Sequence, residues 1–294
     1  MSSKNPSPLR YPGGKYKISK LIELLIGKAG VPCNTYVEPF AGGAGVALEL
    51  LMNGVVDRIV INDSDRAIYS VWKAMTECNA EFLDKLMNVR VDLEEWKKQR
   101  EIYFSSKCYS LEYGFSAFFL NRTNHSGILA SGPIGGMEQN EWKLDVRFNK
   151  EELAKKIRAI GELKDQIKVF GRDVFSFIRN QLPKVGENAF VYFDPPYYNK
   201  GKVLYKNFFT PEKHEKLKDS ISGTVTIPWI VSYDDVPEIR EIYKEFPMRS
   251  FSLLYSLANN GSGREVMFFK SAELRPTRNE LERIGMDKMF GERP

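Results

Sequence analysis

Apolar residues at the start of the chain recur at helical spacing. Ile18, Leu21, Ile22, Leu25 and Ile26 share one face of a helix predicted over residues 18–27. Short apolar runs at 35–38 and 58–62 then read as strands, each followed by a helical pattern, at 43–52 and 65–75. From about residue 80 to 164 this alternation stops. The stretch holds a highly charged, solvated helix at 94–107, an aromatic-rich run at 113–120, a Gly/Asn/Ser-rich segment at 121–140 and a charged helix at 150–161. Strand patterns return at 167–170, 190–193, 227–232, 249–255 and 265–270, with helices near 175–182, 211–222 and 236–246. Thr210 is placed to cap the second of these, with Pro211 at its first position and Glu212 in its first turn.

Strand–helix alternation on both sides of a helical interruption predicts a doubly wound, mostly parallel α/β sheet with an inserted, mainly helical domain. The expected boundaries are 1–75 and 165–294 for the two parts of the sheet domain and 76–164 for the insertion. Residues 275–294 read as a polar surface helix.

A chain of 294 residues with 43% hydrophobic content can bury a sizeable core. It holds no apolar run of membrane-spanning length, and its first residues lack the apolar stretch of a signal peptide. Three widely spaced cysteines, Cys33, Cys78 and Cys108, read as reduced thiols. With only His125 and His214 beside them, no metal centre is expected, and the expected location is the cytoplasm. The net charge of +5 fits a phosphate-backbone partner without requiring one.

The chemistry lies where strands end. Asp194-Pro195-Pro196-Tyr197 follows the apolar run 190–193, so a carboxylate ends a buried strand ahead of a stiff turn and an aromatic ring. Two prolines remove two N–H groups and free their carbonyls as acceptors. An exocyclic amino group needs those acceptors, and its base needs a flat ring to stack on. The plainer reading is a strand ending in a Pro-Pro turn with a solvated Asp.

Glu38-Pro39-Phe40-Ala41-Gly42-Gly43-Ala44-Gly45 runs from a strand through a glycine-rich turn into a helix, where a ligand can approach the backbone. It lacks the third glycine of GxGxxG. Asp63, about twenty residues on at the end of the next strand, can accept ribose hydroxyls. Asp65 is its neighbour and competitor for that part. These features point to an adenosine-containing ligand and leave NAD and S-adenosylmethionine both open. Leu9-Arg10-Tyr11-Pro12-Gly13-Gly14-Lys15 adds a Gly-Gly turn with an aromatic and a lysine suited to an anionic group. Asp173-Val174, after another strand, adds one more carboxylate at the same expected sheet edge.

Tyr11-Pro12-Gly13-Gly14-Lys15, the 38–45 loop, Asn62-Asp63, Leu120-Asn121-Arg122-Thr123 and Asp194–Tyr197 occur in the order found in the Dam-like (D12 class, α-group) DNA adenine-N6 methyltransferases, which this chain resembles over residues 9–270. The resemblance implies a seven-stranded S-adenosylmethionine-dependent methyltransferase sheet, with S-adenosylhomocysteine as product and no metal. It implies that Tyr11 and Lys15 contact the cofactor, and that Glu38, Phe40, Ala41, Gly42 and Gly43 line its methionine side. Asp63 would hold the ribose and Asp173 with Val174 would read the adenine. The site of Asp194, Pro195, Pro196 and Tyr197 would receive an adenine flipped out of duplex DNA and also border the cofactor through Asp194. A thiolate route to C5 of cytosine is not expected, since the sole Pro-Cys pair, Pro32-Cys33, precedes the first strand.

By the same resemblance, residues 76–164 form the target-recognition domain, with a β-hairpin whose return strand spans 142–149. Its expected DNA contacts are Arg122, Asn124, His125 and Arg147, residue types that meet base edges and phosphates. A cognate restriction endonuclease acting separately is an expected partner. The alternatives are an amino-methyltransferase acting on RNA or on cytosine N4, and a catalytically silent DNA-binding modification subunit.

Overall fold

A computed structural model describes residues 5–11, 15–106, 108–198, 209–254 and 262–290. The glycine turn expected at 13–14 and the last residues of the strand expected at 249–255 lie outside the described residues.

Seven strands form one sheet: β1 Thr35–Glu38, β2 Arg58–Asn62, β3 Ile167–Phe170, β4 Ala189–Phe193, β5 Trp229–Asp234, β6 Met248–Leu254 and β7 Ser262–Phe269. Their order is β3-β2-β1-β4-β5-β7-β6. β1 pairs in parallel with both β2 and β4, and β4 with β5, whereas β7 runs antiparallel between β5 and β6. Val37 lies beside Val60 on one side and Val191 on the other. β1, β4 and β5 are buried along their whole length, which explains their nearly continuous apolar sequences. The chain leaves β1 toward one neighbour and reaches the other only at β4. That reversal is where doubly wound sheets bind ligands, at the carboxyl ends of their strands.

The described residues group into two compact units. One comprises residues 15–41, 46–61 and 172–294 and carries most of the sheet. The helix α1, Ser19–Gly27, covers it with the predicted face of Leu21, Ile22, Leu25 and Ile26 buried. The helix Pro211–Thr224 begins as expected with Thr210 at its N-cap and Pro211 in its first turn.

The other unit comprises residues 1–14, 42–45 and 62–171. Within it, α3 (Arg66–Glu77) packs against α6 (Leu111–Thr123). At their crossing a side chain on Gly114 would lie 2.5 Å from the Ser70 carbonyl, so the glycine sets how closely these helices approach. Asp65 caps α3 by accepting from the Ala67 N–H. α6 is buried on nearly every side, which makes it the central helix of this unit. Phe82 meets Phe115 and Phe118 edge-on, each with ring centroids 5.3 Å apart. Such pairs add about 0.5–1.5 kcal/mol each beyond the area they bury. The charged helix expected at 94–107 spans Leu93–Ser105 and is not solvated all round, since Trp96, Gln99 and Tyr103 face inward.

The expected hairpin is not formed. Segment 121–149 holds a single antiparallel bridge, Asn124 to Pro133, and the expected return strand contains a 3-10 turn at Leu144–Arg147. Side-chain amides supply the bonds that a ladder would have made. Gln139 donates to the carbonyls of Ile134 and Gly136 and accepts from the Leu144 N–H. Among the described residues no helix is long and apolar enough to cross a membrane.

Candidate active site

Asp194 stands at the carboxyl end of β4, directly after the fully buried Phe193. Its Oδ1 accepts from the Ser232 hydroxyl at 2.8 Å and lies 3.2 Å from the Lys15 ammonium. Among the described residues both contacts fall on this one oxygen. Oδ2 is left as an acceptor on a side chain that keeps a quarter of its surface exposed. Tyr192, two residues earlier on the same face of β4, bonds the Ser232 oxygen at 2.7 Å and completes the chain behind Asp194.

Lys15 does not present an unengaged ammonium to an anionic ligand, as its sequence context implied. It is buried, and its Nζ contacts Asp194, Ser232 and Glu265. Burial alone would lower its pKa, but Asp194, Tyr192, Tyr197 and Glu265 together hold it well above the ordinary lysine value. It is a fixed cation. Glu265, on β7, accepts the Tyr197 hydroxyl on its other oxygen at 2.8 Å. Tyr197 is thereby held at its far end, and its ring lies 5.3 Å from the Lys15 ammonium. Pro195 is buried and Pro196 half-buried between the two.

Glu38 ends β1, the strand beside β4. It is buried and accepts from the Tyr36 hydroxyl at 3.0 Å and from the Ala47 N–H at 3.1 Å, near the start of the helix Gly45–Met52. Burial, aided by the charge of Asp194, raises its pKa to about 8 against the pull of those two bonds. A carboxyl so poised gains from a nearby cation. Phe40 meets Phe209 edge-on at 6.0 Å, and Phe209 stacks on Phe175 at 6.3 Å, forming an aromatic group after Val174. Asp173 is exposed and caps the short helix Val174–Asn180 by accepting from the N–H groups of Phe175 and Ser176. Val174 itself is buried.

In the helical unit, Gly42 has a φ of +45°, and a Cβ there would sit 2.6 Å from the Tyr11 ring. The turn needs glycine both for its backbone and for this contact. Asp63 accepts the Gly42 N–H at 2.9 Å and the Asp65 N–H at 2.8 Å, so it braces the glycine turn whatever else it binds. Burial and the neighbouring Asp65 raise its pKa to about 7. Gly43 lies under the Tyr11 side chain, and Ala41 is buried.

The four expected DNA contacts divide. Asn124 is fully buried and saturated: its oxygen accepts from Trp96 Nε1 and its amide donates to the carbonyls of Ile128 and Leu129. Its side chain has no group left for a base edge, so that expectation is corrected. Arg122 is also engaged, donating through Nε and Nη2 to the Arg147 carbonyl and through Nη1 to the Pro8 carbonyl. Burial, then the charges of Arg10 and Arg147, push its pKa down to about 10. His125 and Arg147 are exposed.

Sequence reasoning missed Glu265, Ser232 and Tyr192. The strands of Glu265 and Ser232 carry other polar residues, Arg264 beside Glu265 and Asp234 near Ser232, so nothing local in the sequence sets these groups apart. His214 is a packed core residue, with Nδ1 3.1 Å from the Tyr233 hydroxyl and a pKa lowered to about 4 by burial. Cys33 is half-buried and its thiol pKa is raised by burial, which is poor preparation for a nucleophile. Among the described residues no group of three His, Cys, Asp or Glu could hold a metal ion.

The Type II methyltransferase M.MjaIII of Methanocaldococcus jannaschii is 23% identical to this chain over 268 residues, covering 86% of this chain and 84% of that protein. Among solved structures, the rRNA methyltransferase AviRa of Streptomyces viridochromogenes matches with a TM-score of 0.40 and 12% identity, covering 90% of this chain and 88% of that one. The D12 class N6 adenine-specific DNA methyltransferase family matches residues 11–257, so the chain belongs to that family and is an S-adenosylmethionine-dependent DNA methyltransferase.

Proposed function

We propose that Asp194 and the carbonyl of Pro195 accept the two hydrogens of the N6 amino group of an adenine flipped out of duplex DNA. The observation that carries this reading is the loading of Lys15 and Ser232 onto Asp194 Oδ1, with Oδ2 left as an acceptor. Accepting both hydrogens draws N6 toward tetrahedral geometry and localises its lone pair, which the ring otherwise delocalises. S-adenosylmethionine, held by the residues assigned below, would supply an electrophilic sulfonium methyl for this lone pair and would leave as S-adenosylhomocysteine. Tyr197 offers its ring to the base. Asp194 need not be a strong base, because N6 sheds its proton readily once it carries the methyl group and a positive charge. Positioning and electrostatics do most of the work.

The residues present suit the cofactor. Glu38, buried with a raised pKa, favours a cationic methionine moiety. The glycine turn lets the Tyr11 ring pack directly on its backbone. We assign Glu38, Phe40, Ala41, Gly42, Gly43 and Tyr11 to that moiety, Asp63 to the ribose, and Asp173 with Val174 to the adenine. Lys15 serves through its hold on Asp194. Residues 76–164 are the proposed target-recognition part, with His125 and Arg147 as its DNA contacts. Mutual repulsion among Arg10, Arg122 and Arg147 supports a phosphate nearby. The description of the Methanocaldococcus jannaschii relative as a Type II methyltransferase is consistent with a restriction-modification role, in which a cognate endonuclease would act separately.

The test is transfer of labelled methyl groups from S-adenosylmethionine to DNA free of N6-methyladenine, followed by digestion and analysis of the nucleosides. Label in N6-methyladenine is expected. Label in N4-methylcytosine, or transfer to RNA in preference to DNA, would replace this reading.

A further inference from the structure

The buried charges behind Asp194 do not balance: one ammonium, Lys15, lies between two carboxylates, Asp194 and Glu265. Asp194 alone would neutralise Lys15, so charge compensation does not account for Glu265. Its location is equally specific. Glu265 is 1% exposed and sits on β7, between Asp234 of β5 and Phe251 of β6, where hydrogen bonding on both sides fixes its backbone. Its two oxygens are divided between two different parts of the site. Oε2 is 2.5 Å from the Lys15 ammonium, closer than Asp194 at 3.2 Å, and Oε1 takes the Tyr197 hydroxyl.

We propose that Glu265 is a positioning residue for methyl transfer, drawing Lys15 back from Asp194 with one oxygen and anchoring the Tyr197 ring with the other. This rests on the reading of Asp194 as acceptor and Tyr197 as stacking platform. Without the Glu265 charge, the Lys15 ammonium has Asp194 as its one carboxylate partner among the described residues and moves onto it. The Asp194 carboxylate that should receive an N6 hydrogen is then tied to a closer cation. Without the Oε1 bond, Tyr197 keeps its ring but loses the hydrogen bond that holds its hydroxyl to β7. The surplus negative charge has a use, since N6 becomes positive as the methyl group arrives. Burial raises the pKa of Glu265; the Lys15 ammonium opposes that shift, and the charge of Asp194 adds to it.

The experiment compares wild type, E265Q and Y197F for single-turnover methyl transfer and for S-adenosylmethionine affinity. E265Q keeps the shape and removes the charge. Its transfer rate should fall about tenfold to a hundredfold, as expected for misplaced reacting groups, with the cofactor dissociation constant within about twofold of wild type. A residue that merely stabilises the fold would lower the thermal midpoint and leave the rate of the folded fraction unchanged. A folded E265Q with the wild-type rate would overturn the proposal. Should E265Q not fold, Y197F carries the test. Loss of the hydroxyl alone should slow transfer several-fold with cofactor affinity retained, and an unchanged rate would refute the clamp. Asp194→Ala in the same assay separates the two readings. If it is inactive while E265Q and Y197F match wild type, only the role of Glu265 fails; if it is active, the acceptor reading fails and takes this proposal with it.

Discussion

The end of β4 and the 121–149 segment both concentrate polar residues, yet they hold them in opposite ways. At β4 the polar groups are charged, buried and bonded to one another across strands, with Lys15 between Asp194 and Glu265. In 121–149 the buried polar groups, Asn121, Thr123 and Asn124, are neutral; Asn124 and the half-buried Gln139 bond backbone carbonyls, and charged residues such as Arg147 lie on the surface. Strand-borne charges suit chemistry that tolerates little displacement. An amide-closed loop keeps its shape while its exposed residues remain available to a partner.

The comparison breaks most visibly at Asp194. Asp194→Ala should keep the fold and lose methyl transfer by on the order of a thousandfold, the scale of removing one preorganised electrostatic partner. Single-turnover kinetics beside a thermal melt would show both. Asn124→Ala should do the reverse. It strands Trp96 Nε1 and two carbonyls, so stability should fall by about 2–4 kcal/mol in denaturant unfolding. An Asn124→Ala protein of unchanged stability with DNA affinity selectively lost would restore this residue as a direct contact.

Glu38 sharpens the comparison through pH. Its raised pKa means that its contribution to stability is full below the unfolded value of about 4.5 and is lost as pH rises through about 8. A cationic ligand pulls the other way, because it favours the ionised carboxylate. S-adenosylmethionine affinity should therefore rise from about pH 6.5 and level off above about pH 8.5, and Glu38→Gln should flatten the curve. Calorimetric titration across that range checks it. The smallest effect belongs to Arg147. Arg147→Ala should leave stability within about 0.5 kcal/mol and reduce the salt dependence of DNA binding by about one counterion. An unchanged salt slope would remove Arg147 from the interface.

Legibility followed the range of the interactions. The ranges predicted for β1, β2 and β3 match the observed strands, because local apolar runs and turn residues specify them. Asp194 was legible for the same reason, since its strand, turn and ring are contiguous. Glu265 was not, because its meaning comes from Lys15, 250 residues away, and Tyr197, 68 residues away. In 121–149 the composition resembles that of a flexible hairpin. Which amide bonds which carbonyl depends on the folded loop, so the 3-10 turn at Leu144–Arg147 and the burial of Asn124 could not be read from residue types. Arg122 misled for a related reason: a planar donor that fits phosphate fits two backbone carbonyls equally well.

The central claim is that Asp194 receives the amino group of an adenine in DNA. It is tested most directly by producing the wild-type protein and Asp194→Ala, at equal soluble levels, in cells lacking adenine methylation and mapping modified bases by single-molecule sequencing. The account predicts N6-methyladenine at essentially every copy of one short motif with the wild type and none with the variant. Equal methylation by both proteins would contradict it.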